Sequence, residues 1–479
     1  MTMLPPGWVR APVIDLMAQL QDGRNLHQGW SPQCAQGPSP NSEVWGVLKT
    51  TSIQDGRFFS EHNKRLPDAL APRILLEVHE GDVLVTCAGP RMRCGVPCLV
   101  RSTRPKLILS GKMYRMRALE PVINSRFVEA MLRAPATQDA IDGMKTGMSE
   151  SGMNLTHGRF AELEIPVPPT NEQRRIADRL DAVLERVDTC RDRLDRIPAI
   201  LKRFRQSVVS AATNGLLTHD WRMRNFESTE KSMVIATLAE QCLQGRVITY
   251  GVIKLGDEFA SGVPCLRTSN VRWLKVEIHG MKRISQSLSN EYPRTILQGG
   301  EVLVNVRGTL GGVAVAEAEM IGWNVSREVA VVPVDPSKIN PQFLAFWIGA
   351  ERSQQWLTGV ERGVAYTGIN IEDLRTLPVE IPKLEEQAEI VRRVDSLFAF
   401  ADRLEARYTA ARAQVENLTP ATLAKAFRGE LVPQDPSDEP AEVLLERIRA
   451  KRGGAAADNS KPKRGRKSPQ ARNQEETPC

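Results

Sequence analysis

Two stretches of the chain carry the same apolar pattern. One runs Ile176, Leu180, Val183, Val187, Cys190, Leu194, Ile197, Leu201, Phe204, Val208, and the other Ile390, Val394, Leu397, Ala401, Leu404, Tyr408, Ala411, Val415, Leu418, Thr422. Alternating steps of four and three residues keep one stripe on a helix and bury it against a partner helix. Polar Thr422 weakens the second stripe at its end. The economical arrangement is an antiparallel pair in which the two stripes bury each other. Thr170 followed by Gln173 predicts a capping box at the first helix start, and Leu384 stands at the equivalent place in the second. Pro198 and Pro420 are expected to bend or interrupt the helices, since each removes a donor and crowds the preceding turn. Gly215 and Gly429 are expected to stop them.

The stripes belong to a longer repeat. NEQRRIADRLDAVLERVDTCRDRL from Asn171 aligns without gaps on EEQAEIVRRVDSLFAFADRLEARY from Glu385. Pro168, Glu172, Gln173, Ile176, Arg179, Asp181, Asp188 and Arg193 meet Pro382, Glu386, Gln387, Ile390, Arg393, Asp395, Asp402 and Arg407. Upstream, LKTTSI at Leu48 parallels LRTSNV at Leu266, GDVLV at Gly81 parallels GEVLV at Gly300, INSRF at Ile123 parallels INPQF at Ile339, and SGMNL at Ser151 parallels TGINI at Thr367. So long a period means duplicated domains rather than a solenoid. The apolar runs and Gly-marked turns before each helix read as mixed strand and loop. The chain therefore divides into a domain over 1–168, a helical spacer over 169–218, a second domain over 219–380, a second spacer over 381–452 and a tail over 453–479. The tail is basic, nearly free of large apolar residues and expected to be disordered. The fold class is α+β: two pseudo-symmetric mixed α/β domains separated by an antiparallel pair of long coiled-coil-like helices.

Composition narrows the function only slightly. Lys and Arg number 64 against 57 Asp and Glu, a formal net charge of +7 that fits a polyanionic partner without requiring one. No run approaches the roughly 18 apolar residues of a membrane span, so no membrane role is expected. Eight irregularly spaced cysteines and a start without a signal pattern suggest a reducing cytoplasm.

Catalytic motifs are missing. There is no GxGxxG, P-loop, HExxH, GxSxG or DFG run, and no NPPY-like tetrapeptide of the amino-methyltransferases. Cys87, Cys94 and Cys98, with His79 or Cys34, could make a zinc site, but Cys-x3-Cys is a weak match and Val306 stands opposite Cys87 in the second half. Buried or incidental thiols are the simpler reading, and no metal is expected.

The organisation and several runs resemble the specificity subunits of type I restriction-modification systems. The resemblance is densest in IPVPPTNEQRRIADRLDAVLERVD, SVVSAATNGLLTHDWR, LPVEIPKLEEQAEIVRRVDSLF and LAKAFRGELVPQDPSDEPAEVLLERIRAKR, and extends to GWSPQC with WGVLKTTSIQDG and to ITYGVIKLGDEFASGVPCLRTSNV. It implies a prokaryotic, non-catalytic subunit whose two target recognition domains each read part of a bipartite double-stranded DNA sequence. It further implies helices that hold two methyltransferase subunits modifying adenine N6, with restriction/translocase subunits added. S-adenosylmethionine, ATP and Mg2+ would then be bound by the partners and not by this chain. The halves begin differently (LPPGW at Leu4, SMVIATLAEQ at Ser232), so unequal half-sites and an asymmetric target are expected. A duplicated coiled-coil scaffold without a DNA role, and a nuclease fused to its own specificity domains, are the alternatives.

A DNA reader needs phosphate contacts for position and side chains at base edges for sequence. Lys49, Thr50, Thr51 and Ser52, and their counterparts Arg267, Thr268, Ser269 and Asn270, combine a basic group with hydroxyls or an amide. Asn270 suits adenine, and the basic residues suit phosphate or guanine. A structural turn capped by Ser and Thr explains the same pattern. Arg91, Arg93 and Arg307 follow Gly-rich strand exits, and Lys106, Lys112 and Arg115 form a further basic group. Lys461, Lys463, Arg464, Arg466 and Lys467 suit non-specific phosphate attraction. Glu172, Gln173, Arg179 and Asp181, repeated at Glu386, Gln387, Arg393 and Asp395, are candidates for methyltransferase contact because they recur where much else differs.

Overall fold

The computed structural model describes residues 4–54, 56–226, 233–360 and 368–458, and the basic residues Lys461 to Lys467 lie outside them. The chain forms two compact units: Met1–Asp192 with Arg412–Cys479, and Arg193–Ala411.

In the first unit the strand Val9–Pro12 pairs antiparallel with Glu164–Val167, so the domain closes where its long helix begins. A four-stranded antiparallel sheet has the order His27–Gln28, Met113–Arg117, Asp82–Thr86, Pro97–Leu99. Asp82–Thr86 is buried at every position, as its apolar centre leads one to expect of a sheet interior. A second sheet has the order Leu107–Ile108, Gly46–Leu48, Asn63–Arg65, and a short hairpin joins Ile53–Gln54 to Arg57–Phe58. The helix Ser125–Arg133 covers the core through Phe127 and starts at Asn124, whose side chain accepts from the Phe127 amide.

The second unit repeats this plan. Met233–Thr237 pairs with Pro378–Pro382. One sheet has the order Thr249–Tyr250, Val329–Val332, Val302–Asn305, Val313–Val315, and the other Lys282–Ile284, Val263–Leu266, Asn324–Val325. The hairpin is Val271–Arg272 with Lys275–Val276, and Asn340 caps the helix Pro341–Gly349. The duplication read from short sequence echoes is thus a duplication of strand order.

The spacer helices differ in how they treat proline. Thr170–Leu194 ends two residues before Ile197–Thr213 begins, and Pro198 lies in the first turn of that second piece, where its missing N–H costs nothing. Leu384–Ala426 runs through Pro420 without a break, and Leu423, one turn on, is buried in the first unit's core. Gly215 and Gly429 end the helices with φ of 77° and 74°, the left-handed conformation that favours glycine.

Pairing within each unit is antiparallel. In the second, Arg205 meets Asp402 and Glu405 at 2.7 and 2.8 Å, while Arg393 bonds the Leu217 carbonyl and Asp220 at 2.7 and 2.6 Å. In the first, Leu423 and Ala426 share a core with Ile176 and Leu180. The predicted stripe is buried at Ile176, Leu180, Val187, Leu201, Val208, Ile390, Val394 and Ala401. It fails at exposed Cys190 and at Leu418, which is 45% exposed; Thr419, Leu423 and Ala426 are buried instead. That one-residue step is the drift expected when a 3.5-residue pattern is written on a helix of about 3.6 residues per turn.

The capping box at Thr170 does not form. The Thr170 hydroxyl donates to the Val122 carbonyl at 3.0 Å, and Gln173 turns to other backbone groups, since tertiary partners are in reach of both. Beyond the long helix of the second spacer another helix spans Ala441–Asp458, so the chain from Gly453, expected to be disordered, is helical to Asp458. Its Leu444, Leu445 and Ile448 enter the first unit's core beside Val13 and Leu16, and Arg452 donates to the Met17 carbonyl.

Candidate nucleic-acid interface

In the first unit the strand Gly46–Leu48 ends in a turn closed by Ser52, which accepts from the Lys49 amide at 3.2 Å and donates to the His62 carbonyl at 2.6 Å. Ser52 is buried and Lys49 exposed, so the turn's polar side chain serves the backbone while its lysine faces water. The neighbouring strand sets Lys64 opposite Val47, and the loop before Met113–Arg117 brings Lys112. Lys49, Lys64 and Lys112 rim one cleft of about 280 Å3 with Trp30, Ser31, Cys34, Thr50 and Ser110. Among the described residues none of these three lysines forms an ion pair. Arg73 adds its guanidinium over the Trp30 ring at 4.5 Å. Unpaired ammonium groups around a concavity attract an anion, and the aromatic and hydroxyl groups between them offer shape and hydrogen bonds. Sequence reasoning missed Lys64, whose place depends on strand register.

The equivalent turn in the second unit is closed by Asn270. Its Oδ1 accepts from the Arg267 amide at 3.1 Å and its Nδ2 donates to the Glu277 carbonyl at 2.9 Å. The Asn270 amide is fully buried, so the adenine pairing expected of it has no accessible group. Lys282 stands opposite Cys265 as Lys64 does opposite Val47. Arg267 is half-buried, donating to the Gly280 carbonyl at 3.0 Å, and Thr268 and Ser269 lie outward of the closure. Arg307 is exposed and stacks 5.5 Å over the Tyr250 ring. The cysteine and valine that match across the halves identify one more equivalence: the Cys87 amide donates to the Lys112 carbonyl at 2.8 Å, and the Val306 amide to the Glu328 carbonyl at 2.9 Å. Glu328 therefore stands where the first unit has Lys112.

The other candidates sit apart from these turns or serve them from behind. Arg91 pairs with Asp142 and Glu150 at 2.7 and 3.1 Å. Arg93 donates to the Thr50 and Ile53 carbonyls at 2.7 and 3.1 Å, which positions the turn rather than presenting a free guanidinium. Lys106 pairs with Glu43 at 2.9 Å. Arg115 is buried and donates to the Glu77 and Leu75 carbonyls, so it is unavailable to DNA. Thr51 is half-buried, its hydroxyl enclosed without a partner among the described residues.

On the spacers, recurrence has an internal cause at four positions. Gln173 accepts from the Asn124 amide at 3.0 Å and donates to the Pro168 carbonyl at 3.0 Å; Gln387 does the same for Asn340 and Pro382 at 2.6 and 2.8 Å. Each glutamine thus ties helix start, last strand and capped core helix together. Glu172 accepts from the Trp8 indole at 3.0 Å, and Glu386 from Thr218 and Arg222 at 2.7 and 2.6 Å. All four side chains are buried and closed to a partner subunit. Arg393 is ion-paired with Asp220 and Glu389, and half-buried Asp181 with Arg101 and Arg126. Arg179 and Asp395 are exposed.

The cysteine group is part of the core. Cys87, Cys94 and Cys98 are buried and unpaired; burial pushes the Cys87 thiol up to about 12 and also raises the other two. Among the described residues no group of His, Cys, Asp and Glu is arranged to hold a metal, and no helix is long and apolar enough to cross a membrane.

A family model described as the type I restriction modification DNA specificity domain matches residues 137–199 and 257–411. The type I restriction enzyme EcoBI specificity subunit of Escherichia coli is 32% identical over 437 residues, covering 87% of this chain and 88% of its own. The EcoKI specificity subunit of the same species (strain K12) is 30% identical over 478 residues, covering 96% and 99%. In fold, the chain is similar to one from a study of complex assembly and conformational transition of the type I R-M system, with a TM-score of 0.62 at 20% identity over 90% of this chain and 100% of that one. The HsdS subunit from Thermoanaerobacter tengcongensis gives 0.54 at 20% identity over 90% and 98%.

Proposed function

Because this chain belongs to the specificity subunits of type I restriction enzymes, we propose that each of its two units reads one half of a split, asymmetric double-stranded DNA target. The chain is the DNA-recognition subunit of a type I restriction-modification complex. The observation that carries the two-reader proposal is the recurrence of one strand-end turn with different side chains on and beside it: Lys49, Thr50, Lys64 and Lys112 in the first unit, Arg267, Thr268, Lys282 and Arg307 in the second. Equal scaffolds with unequal side chains are what two independent readers of unequal half-sites need.

In this reading residues 1–168 and 219–380 are the target recognition domains, 169–218 and 381–452 the spacers, and 453–479 an electrostatic tail. The spacers hold two methyltransferase subunits, and exposed Arg179 and Asp395 are the helix candidates that remain open to them. Those subunits bind S-adenosylmethionine and methylate adenine N6, while restriction/translocase subunits use ATP and Mg2+, all in a prokaryotic cytoplasm. Recognition stays with this chain and the chemistry with its partners.

The test is DNA binding by the chain assembled with its methyltransferase partner. Affinity for target duplex should fall steeply with salt, and Lys49→Ala, Lys64→Ala and Lys112→Ala should each lower the salt slope by about one. Retention of full affinity by the triple variant would refute the first unit's cleft as a DNA contact.

A further inference from the structure

The two units match in backbone but differ in sign at the residue before one sheet strand, Lys112 in the first and Glu328 in the second. Glu328 is half-buried and directly precedes the strand Val329–Val332. Its backbone carbonyl accepts from the Val306 and Arg307 amides at 2.9 and 3.3 Å, and among the described residues its carboxylate receives the Thr268 hydroxyl alone, at 3.4 Å, a long bond. Thr268 belongs to the turn after the central strand, and Arg307 to the adjoining strand exit. Among the described residues Glu328 forms no ion pair, although the Arg307 amide donates to its carbonyl. A carboxylate beside phosphates is repelled, and no charged side chain among the described residues of the unit neutralises this one. It is compatible with DNA only where it meets a donor, and the donors that a major groove presents are the exocyclic amines of cytosine (N4) and adenine (N6). The first unit has Lys112, a donor, at the same place.

We infer that Glu328 is a specificity-determining residue of the second unit, accepting a hydrogen bond from a base amine, cytosine N4 foremost, in the half-site that this unit reads. The inference rests on the DNA-interface reading above. It also explains how one backbone plan reads two sequences: the Lys112 position selects an acceptor, guanine or phosphate, and the Glu328 position a base with an amine.

The experiment is genome-wide mapping of methylated adenines in cells expressing the full complex with Glu328→Ala or Glu328→Gln. One position of one half-site should become degenerate, discrimination there falling roughly 5- to 150-fold, with the other half-site and the gap unchanged. Loss of a required cytosine identifies N4 as the group read, and loss of a required adenine identifies N6. An unchanged target in both variants overturns the inference. So does uniform loss of methylation in Glu328→Gln, which keeps size and shape, while that complex still assembles. Arg267→Ala and Arg307→Ala separate the two levels. If neither weakens salt-dependent DNA binding by the assembled complex, the interface reading fails; if they do and Glu328 variants keep their sequence, only the present inference fails.

Discussion

Replacing Gln173 by alanine should loosen the first unit and leave the second intact. The side chain is fully buried and satisfies two backbone groups at once, the Asn124 amide and the Pro168 carbonyl, each at 3.0 Å. Alanine leaves both groups without a partner, and a buried unmade bond costs about 1–3 kcal/mol. Partial entry of water at half-buried Asn124 offsets some of this, so the expected loss is ~2–4 kcal/mol. Hydrogen exchange followed by mass spectrometry on the partner-bound complex reads it. Amides of Ser125–Arg133 that exchange through opening of the unit should do so roughly 30- to 700-fold faster, while Pro341–Gly349 should be unchanged. Gln387→Ala should give the mirror result. Gln173→Glu keeps an acceptor for Asn124 but faces the Pro168 carbonyl with oxygen, so it should do no better than alanine. A change below about twofold in Gln173→Ala, or equal loosening of both units, would refute the reasoning.

Acid should weaken the start of the second spacer. Arg392 and Arg393 hold the Glu389 carboxyl down to about 2 from 4.5, so its contribution is complete above pH ~4.5 and is lost as pH falls towards about 2; the destabilisation caused by Glu389→Gln should vanish over that window in unfolding curves. Native alkylation at mildly alkaline pH should label exposed Cys190 and spare Cys87, Cys242 and Cys265, whose thiols burial pushes up to about 12, 11 and 12, and peptide mapping that finds Cys265 labelled would contradict the buried-thiol reading. Removing four residues near Gly215 shortens the spacer by up to about 6 Å and should change the unspecified gap of the target by one or two base pairs or abolish activity. An active deletion mutant with an unchanged gap would exclude the spacer as the ruler.

The fold was legible where the sequence repeats itself or keeps a period. Helix spacing and the matched LKTTSI and LRTSNV runs led to the correct elements because a buried stripe and a strand-end turn each impose local residue types. The capping box failed because Thr170 and Gln173 find long-range partners, which no local motif encodes. For the same reason the recurrence of Glu172, Gln173, Glu386 and Gln387 looked like a shared surface and is an internal tie. Of the candidate cleft, only separate basic groups were legible. Lys49 and Lys112 were singled out separately, but their meeting with Lys64 depends on strand register. Asn270 was expected to face adenine and Ser52 stood among the candidates, yet both turn inward, since a turn residue's direction is set by the tertiary closure it makes.

The claim that the two units are independent readers is tested most directly by replacing residues 1–168 with the matching part of a relative of different specificity and mapping methylated adenines genome-wide. The account predicts that one half-site changes to that of the donor while the other half-site and the gap stay as they were. A change in both half-sites, or an active chimera whose target is unaltered, would contradict it.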